Sequence, residues 1–263
     1  MTFLGWKRNT TVPKPEPIKC EKHDTEREAL WCPLGGAGWV HSECGECTKE
    51  KDEAEQLEKA AYMRQVRLER AIQSSKVGAR YRECLFENFE TTDENADALE
   101  AVKRFCEAIK DGKEPASPWL WLHGGVGTGK THLAVATMKE LALAGRVVSY
   151  QEGYDLVQRI RNQLYSSEND VKTASDIVYE ICGKLDLLII DDFGVKLEHA
   201  SSADDQGMLF ALFNTFYKEK KALMVITNLQ PADLSKFLDK RIADRLRECA
   251  ETVVFNWQSR RKK

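Results

Sequence analysis

The chain has 263 residues, of which 42% are hydrophobic and 31% are charged, and its formal net charge is −3. These values are ordinary for a globular protein and exclude a uniformly basic nucleic-acid-binding chain, so any such surface has to be local. The sequence has no apolar run of about 18 residues, the length that predicts a membrane-spanning helix.

The N-terminal segment, residues 1–18, contains prolines and lysines but no apolar block. It is predicted to be flexible and not to be a signal peptide. The expected location is the cytoplasm, where disulfide bonds are rare. The eight cysteines are therefore interpreted as thiols or metal ligands.

Residues 20–47 contain six potential metal ligands. Four of them form two pairs, each with a two-residue gap that lets both side chains reach one ion, as in zinc modules. A segment this short cannot bury a core, so metal binding would supply its folding free energy. The ligands predicted for one structural zinc ion are Cys20, His23, Cys44 and Cys47, with Cys32 and His41 as alternatives.

The next segment, residues 49–75, has neither glycine nor proline and is rich in helix formers, which predicts one long helix. Residues 60–82 contain six basic residues and one acidic residue, a local charge of +5. This basic segment is a candidate DNA contact, a partner-binding surface or a solvated spacer.

The rest of the chain alternates apolar strand patterns with helical ones, which predicts a parallel sheet covered by helices on both faces. Strands are predicted at 119–123, 147–151, 185–190, 222–227 and 252–256. The predicted domains are the flexible residues 1–18, the zinc module and helix at 19–76, and the α/β domain at 77–263.

The segment GGVGTGKT matches the phosphate-loop pattern G-x-x-x-x-G-K-[ST] at every fixed position. Glycines let backbone N–H groups surround phosphate oxygens, and the N-terminus of the following helix favours anions. Lys130 is predicted to reach the β- and γ-phosphates, and Thr131 to offer its hydroxyl to Mg²⁺. The predicted nucleotide contacts are Gly124, Gly125, Val126, Gly127, Thr128, Gly129, Lys130, Thr131 and His132.

The segment LDLLIIDDFG places two acids directly after a buried strand, at the edge of the sheet where ligands bind. Asp191 is predicted to hold Mg²⁺ together with Thr131, and Asp192 to polarise the attacking water. Asn228, at the end of a later strand, is predicted to orient that water. The alternative for Asn228 is a turn that caps the strand.

These segments, with VITNL and RIADRLRE further along, resemble AAA+ ATPases of the DnaC/IstB-like group. YRECLFENFE and FNWQSRRKK resemble DnaC-type helicase loaders more narrowly, and the resemblance covers residues 78–263. It implies an α/β AAA+ P-loop NTPase core, with its parallel sheet between helices, preceded here by the zinc module and the long helix. It also implies an ATPase that loads a hexameric DnaB-type replicative helicase onto single-stranded DNA as a homo-oligomeric ring or spiral. The alternative is an IstB-type transposition helper that binds duplex DNA and recruits a transposase.

The resemblance also implies residue roles. Arg245 matches the arginine finger that completes a neighbouring subunit's site, with Arg241 as its substitute. The alternative is a basic helix face whose arginines pair with nearby acids. Arg261, or Arg260, matches the sensor II arginine. The second acid of the pair is often Glu in this family, and the shorter Asp192 leaves the turnover rate open.

Two expectations concern partners. The resemblance implies that residues 19–76 bind the helicase. Residues 153–167 combine aromatic and basic side chains, a composition that suits single-strand binding because rings stack on bases while arginines neutralise phosphates. These residues are Tyr154, Arg159, Arg161 and Tyr165. The alternative for this segment is an amphipathic helix with its leucines and isoleucine in the core and its arginines in solvent.

Overall fold

The computed structural model describes residues 13–32, 38–166, 172–194, 203–229 and 238–260. The chain forms two compact units, Met1–Met63 and Arg64–Lys263. The first long helix, α1 (Gly45–Ser75), contributes residues to both units and begins four residues before its predicted start. Within the described ranges, no helix is long and apolar enough to cross a membrane.

The first unit contains two small antiparallel strand pairs ahead of α1. Its Trp31 and Trp39 lie opposite each other on paired strands and pack edge to face, with ring centroids 5.5 Å apart. Such cross-strand aromatic pairs stabilise a short ladder that has little other core. The strands are β1 (Ile18–Lys19), β2 (Glu26–Arg27), β3 (Ala29–Cys32) and β4 (Gly38–His41).

The second unit alternates helices and strands, and all five predicted strands are present. Its strands are β5 (Trp119–Gly124), β6 (Val148–Glu152), β7 (Leu187–Asp191), β8 (Ala222–Thr227) and β9 (Ala250–Phe255). Its α-helices in the described ranges are α2 (Ala96–Lys110), α3 (Lys130–Leu143), α4 (Gly153–Ser166), α5 (Ala174–Cys182), α6 (Ala203–Lys218) and α7 (Lys240–Cys249).

The five strands form one parallel sheet in the order β6-β7-β8-β5-β9. Strands β5, β7 and β8 are buried along their whole length because helices cover both faces. Side chains alternate between the two faces, so Leu120 and Leu122 pack on the side of α2 and α3. Trp119 and Trp121 pack on the side of α4, α5 and α6. The carboxyl ends of the three buried strands therefore meet at one edge of the sheet.

The end of β5 lies very close to the end of β9. Gly124 has a φ of +146°, and a Cβ at this position would lie 2.1 Å from the carbonyl oxygen of Phe255. The next amide, that of Gly125, donates to the same oxygen at 3.2 Å. This contact fixes where the phosphate loop leaves the sheet.

Gly124→Ala is expected to lower the free energy of unfolding by about 3 kcal/mol, because the two strands would have to separate and the backbone would be strained. The matched control is Gly125→Ala, whose Cβ would meet its nearest atom at 3.7 Å, an ordinary contact. That variant should change the stability by less than about 1 kcal/mol. Urea unfolding measures both, and equal losses for the two variants would contradict the close approach.

Candidate nucleotide site and metal centre

A cavity of about 470 Å³ opens at the carboxyl edge of the sheet. It is bordered by the phosphate loop, by the ends of β7 and β8, and by residues before α2 and after β9. The predicted residues that the structure brings together around this cavity are Val126, Gly127, Thr128, Gly129, Lys130, Thr131, His132, Asp192 and Asn228.

The phosphate loop curves around the ammonium group of Lys130. Lys130 is the first residue of α3 and is only 5% exposed. Its Nζ donates to the carbonyl oxygens of Gly124 at 2.8 Å and Gly125 at 2.7 Å. Gly129 has a φ of +101°, and a Cβ there would lie 2.7 Å from the Phe89 ring. Only glycine fits this position without moving Phe89.

The first acid of the pair lies at the end of β7 and is buried. Asp191 Oδ1 accepts the backbone N–H of Asp192 at 2.8 Å, and Oδ2 accepts the hydroxyl of Thr131 at 3.0 Å. Oδ2 also accepts the hydroxyl of Tyr150. Asp192 is exposed and has a φ of +48°, a conformation that is uncommon for a non-glycine residue and concentrates at functional sites.

The chemistry of these groups fits a nucleotide and its cation. A glycine loop that ends at a helix N-terminus, with a buried lysine inside it, suits polyphosphate. Hydroxyl and carboxylate oxygens, here those of Thr131 and Asp191, are the ligands that Mg²⁺ prefers.

The turn after β8 is held by Thr227. Its hydroxyl donates to the carbonyl of Phe193 at 2.7 Å and accepts the N–H of Leu229 at 3.1 Å. Asn228 is partly buried and borders the cavity. Thr227 supplies the contacts that hold the turn, and the role of Asn228 stays a prediction.

The residues after β9 contact the phosphate loop. The indole N–H of Trp257 donates to the carbonyl of Thr128 at 2.9 Å, and the backbone N–H of Arg260 donates to that of Gly127 at 2.9 Å. The Arg260 guanidinium lies 5.4 Å from the centre of the Phe89 ring and borders the cavity. Arg261, the predicted sensor II residue, lies outside the described residues.

Arg245 lies on α7, partly buried between two aromatic rings. Its guanidinium is 5.1 Å from the centre of the Phe210 ring and 4.9 Å from that of Tyr217. Within the described part of the chain, its buried Nη1 has no hydrogen-bond partner. The neighbouring arginines follow the alternative prediction of pairing with nearby acids. These pairs are Arg241 with Asp239 at 2.9 Å and Arg247 with Asp244 at 2.7 Å.

The four predicted zinc ligands come together in the first unit. Their ligand atoms all lie within 4.8 Å of one another. The Nδ1 atom of His23 is 3.8 Å from the sulfur of Cys20, 3.5 Å from that of Cys44 and 3.3 Å from that of Cys47. Three thiols and one imidazole are a donor set that tetrahedral zinc accepts. The cluster could therefore hold a zinc ion.

Groups around this cluster favour metal binding. The other ring nitrogen of His23 lies 3.3 Å from a carboxylate oxygen of Glu50, an arrangement common behind zinc-bound histidines. A hydrogen bond from Thr25, helped by backbone N–H groups, lowers the pKa of Cys44 to about 6. The hydrogen bond between Cys20 and Cys47 within the cluster acts in the opposite direction, because it raises the pKa of Cys47 to about 11 and so disfavours the thiolate that zinc binds.

The alternative ligands are not in this cluster. The Nε2 atom of His41 lies 2.9 Å from the backbone carbonyl of Glu16. Neither His41 nor Cys32 belongs to the group of converging donors found among the described residues.

Helix α4 has the predicted apolar core face. Leu156 and Ile160 are buried, and Arg161 forms an ion pair with the buried Asp205 on α6. Arg159 instead borders a second cavity of about 750 Å³. The ion pair of Arg161 differs from both expectations for this segment, because it ties α4 to α6.

The phosphate loop, the acid pair and the strand order define a P-loop nucleoside triphosphatase with an AAA+ fold. The sequence-family model of the bacterial DnaA ATPase domain matches residues 81–252, well over half of the chain. The chain belongs to this family and is a DnaC-like AAA+ ATPase.

Similarity extends to characterised and uncharacterised relatives. The chain is 27% identical to the replicative helicase loader DnaC of Escherichia coli K12 over 200 residues, which cover 75% of this chain and 77% of DnaC. It is 27% identical to the uncharacterised protein YdaV of the same organism over 198 residues, 74% of this chain and 75% of YdaV.

Two solved structures share the fold. The AMPPCP-bound DnaA of Aquifex aeolicus is 25% identical with a TM-score of 0.54, and the match covers 68% of this chain and 51% of that chain. This chain thus spans about half the length of that DnaA chain. The crystal structure of the DnaC helicase loader is 22% identical with a TM-score of 0.52. This match covers 68% of this chain and 99% of the DnaC chain.

Proposed function

We propose that this protein is an ATP-dependent helicase loader, which places a hexameric DnaB-type replicative helicase on single-stranded DNA. The observation that carries the proposal is the similarity to E. coli DnaC, which extends over 77% of that protein's length. A match of this length includes much more than the phosphate loop and the acid pair, which many nucleotide-binding families share.

The proposed chemistry is ATP hydrolysis with Mg²⁺, which would neutralise the negative charge of the phosphates. Lys130 and the loop amides hold the phosphates, while Thr131 and Asp191 hold the cation. Asp192 and Asn228 orient and polarise the attacking water. Both border the cavity that contains the loop.

The proposal includes assembly of like subunits in a ring or spiral when ATP is bound. Arg245 would then complete the site of the adjacent subunit. A guanidinium is always charged and suits the developing charge on phosphoryl oxygens. Arg245 is only partly buried on α7, so part of its side chain is accessible to another molecule.

The first unit is proposed to bind zinc and, together with α1, to grip the helicase. Changing both Cys44 and Cys47 to Ser is expected to lower the zinc content from about one ion per chain to none, because two of four ligands are lost. Elemental analysis of the purified protein measures this. Cys32→Ser is the matched control and should keep its zinc. A double variant that retains zinc would show that this cluster is not the site.

The loading function is tested by capture of partners on the immobilised full chain, with ATP, in the presence and absence of single-stranded DNA. The expected result is recovery of a replicative helicase that depends on ATP. Recovery of a transposase without a helicase, together with ATP-dependent binding of duplex DNA at matched salt, would replace this function with the transposition-helper alternative.

A further inference from the structure

The side chain of Tyr150 reaches the acid pair from the neighbouring strand. Tyr150 on β6 lies opposite Ile189 on β7, and Asp191 follows two residues later on the same face. The Tyr150 ring is 6% exposed and packs in the core formed with α2 and α3. Its hydroxyl donates to Asp191 Oδ2.

The Tyr150 hydroxyl can only donate here. A carboxylate has no proton to give, so the contact between the two side chains requires the Tyr150 hydroxyl to donate to Asp191 Oδ2. Asp191 Oδ2 thus accepts two hydrogen bonds, one from Tyr150 and one from Thr131, while Oδ1 accepts the backbone N–H of Asp192.

These contacts have a consequence for Thr131. Its proton points to Asp191, which leaves its oxygen lone pairs available to a cation. The direction of this hydroxyl depends on the orientation of the Asp191 carboxylate. That orientation is fixed by the Asp192 N–H on one oxygen and by Tyr150 on the other.

We propose that Tyr150 is a positioning residue of the magnesium site: its hydroxyl holds Asp191, and through Asp191 the hydroxyl of Thr131, in the orientation that binds Mg²⁺ with the nucleotide. The inference rests on the proposed nucleotide function of the same site. Groups that hold metal ligands in place commonly change metal affinity by about tenfold or more when they are removed.

The test is Tyr150→Phe, which keeps the ring in the core and removes only the hydroxyl. ATP affinity is measured by calorimetry across a Mg²⁺ titration and in EDTA. We expect the Mg²⁺ concentration for half-maximal enhancement of binding to rise about tenfold, with the affinity in EDTA unchanged. Tyr179→Phe is the matched control, since Tyr179 is 57% exposed on α5.

A purely structural role for Tyr150 predicts a lower melting temperature with an unchanged Mg²⁺ dependence, and that result overturns the inference. In an Asp191→Ala background, Tyr150→Phe should have no further effect on the Mg²⁺ dependence, and an undiminished effect also overturns it. A wild-type chain that binds no nucleotide would instead remove the proposed function itself.

A second test leaves the Tyr150 hydroxyl in place. With 3-fluorotyrosine at position 150, the ¹⁹F resonance is expected to shift when ATP is added with Mg²⁺, but not when ATP is added in EDTA. Identical spectra in the two conditions overturn the inference.

Discussion

Lys130→Ala is expected to lower ATP hydrolysis by at least about a hundredfold, the usual cost of removing a preorganised group from developing charge. The lysine is buried inside the phosphate loop, where its ammonium contacts the carbonyls of Gly124 and Gly125. Its positive charge therefore lies close to the loop carbonyls and to any phosphate bound in the loop. Release of inorganic phosphate under saturating ATP measures the rate, and calorimetry measures the ATP affinity.

The control for this prediction is Lys113→Ala. Lys113 is exposed and pairs with Asp111 on the surface, so its loss should leave both hydrolysis and ATP affinity unchanged. The melting temperature of the Lys130 variant should stay near that of the wild type, which separates a lost contact from a lost fold. Wild-type turnover in a folded Lys130→Ala protein would contradict the assignment of the site.

Arg245→Ala is expected to lower ATP hydrolysis by about a thousandfold while the ATP affinity of each subunit is kept, because a finger acts on the transition state of the adjacent site. Arg245→Lys should not restore the rate, since an ammonium cannot reproduce the planar guanidinium. Arg247→Ala is the matched control on the same helix, since Arg247 is exposed and paired with Asp244. Steady-state hydrolysis and calorimetry on each variant provide the two measurements.

Mixing the two variants tests whether the arginine acts between subunits. An oligomer that contains both Lys130→Ala and Arg245→Ala subunits has some interfaces where an intact loop meets an intact arginine. The mixture should hydrolyse ATP faster than either variant alone. A mixture no faster than its components would mean that Arg245 acts within its own subunit or only packs against Phe210 and Tyr217.

The core of the second unit could be predicted because its patterns are local. Strands β5, β7 and β8 are continuous apolar runs that are buried on both faces, so composition alone marks them. The location of the phosphate loop and of the acids at the strand ends could also be predicted, because parallel strands bring their carboxyl ends to one edge of the sheet.

The convergence of the four predicted zinc ligands could also be anticipated from spacing, but the short strands near them could not. Strands β1 and β2 have two residues each and are largely exposed, so no apolar alternation marks them. Cys20 and His23 lie between these two strands, whereas Cys44 directly precedes α1 and Cys47 lies in its first turn.

Several contacts of the nucleotide site had no signal in the sequence. Tyr150 reaches Asp191 because β6 is adjacent to β7 with one particular register. Trp257 reaches the carbonyl of Thr128 because β9 pairs with β5 at the edge of the sheet. The ion pair between Arg161 and Asp205 likewise depends on how two helices pack. Such contacts depend on how segments that are distant in the chain pair and pack, which no local residue pattern shows.

The contact between the phosphate loop and residues 255–260 has a consequence for synthesis of the chain. Strand β9 is made long after β5, yet it lies directly beside it, and Trp257 and Arg260 bond to carbonyls of the loop. On the ribosome, the nascent loop thus lacks its edge strand and two of its supports until residues 255–260 have emerged.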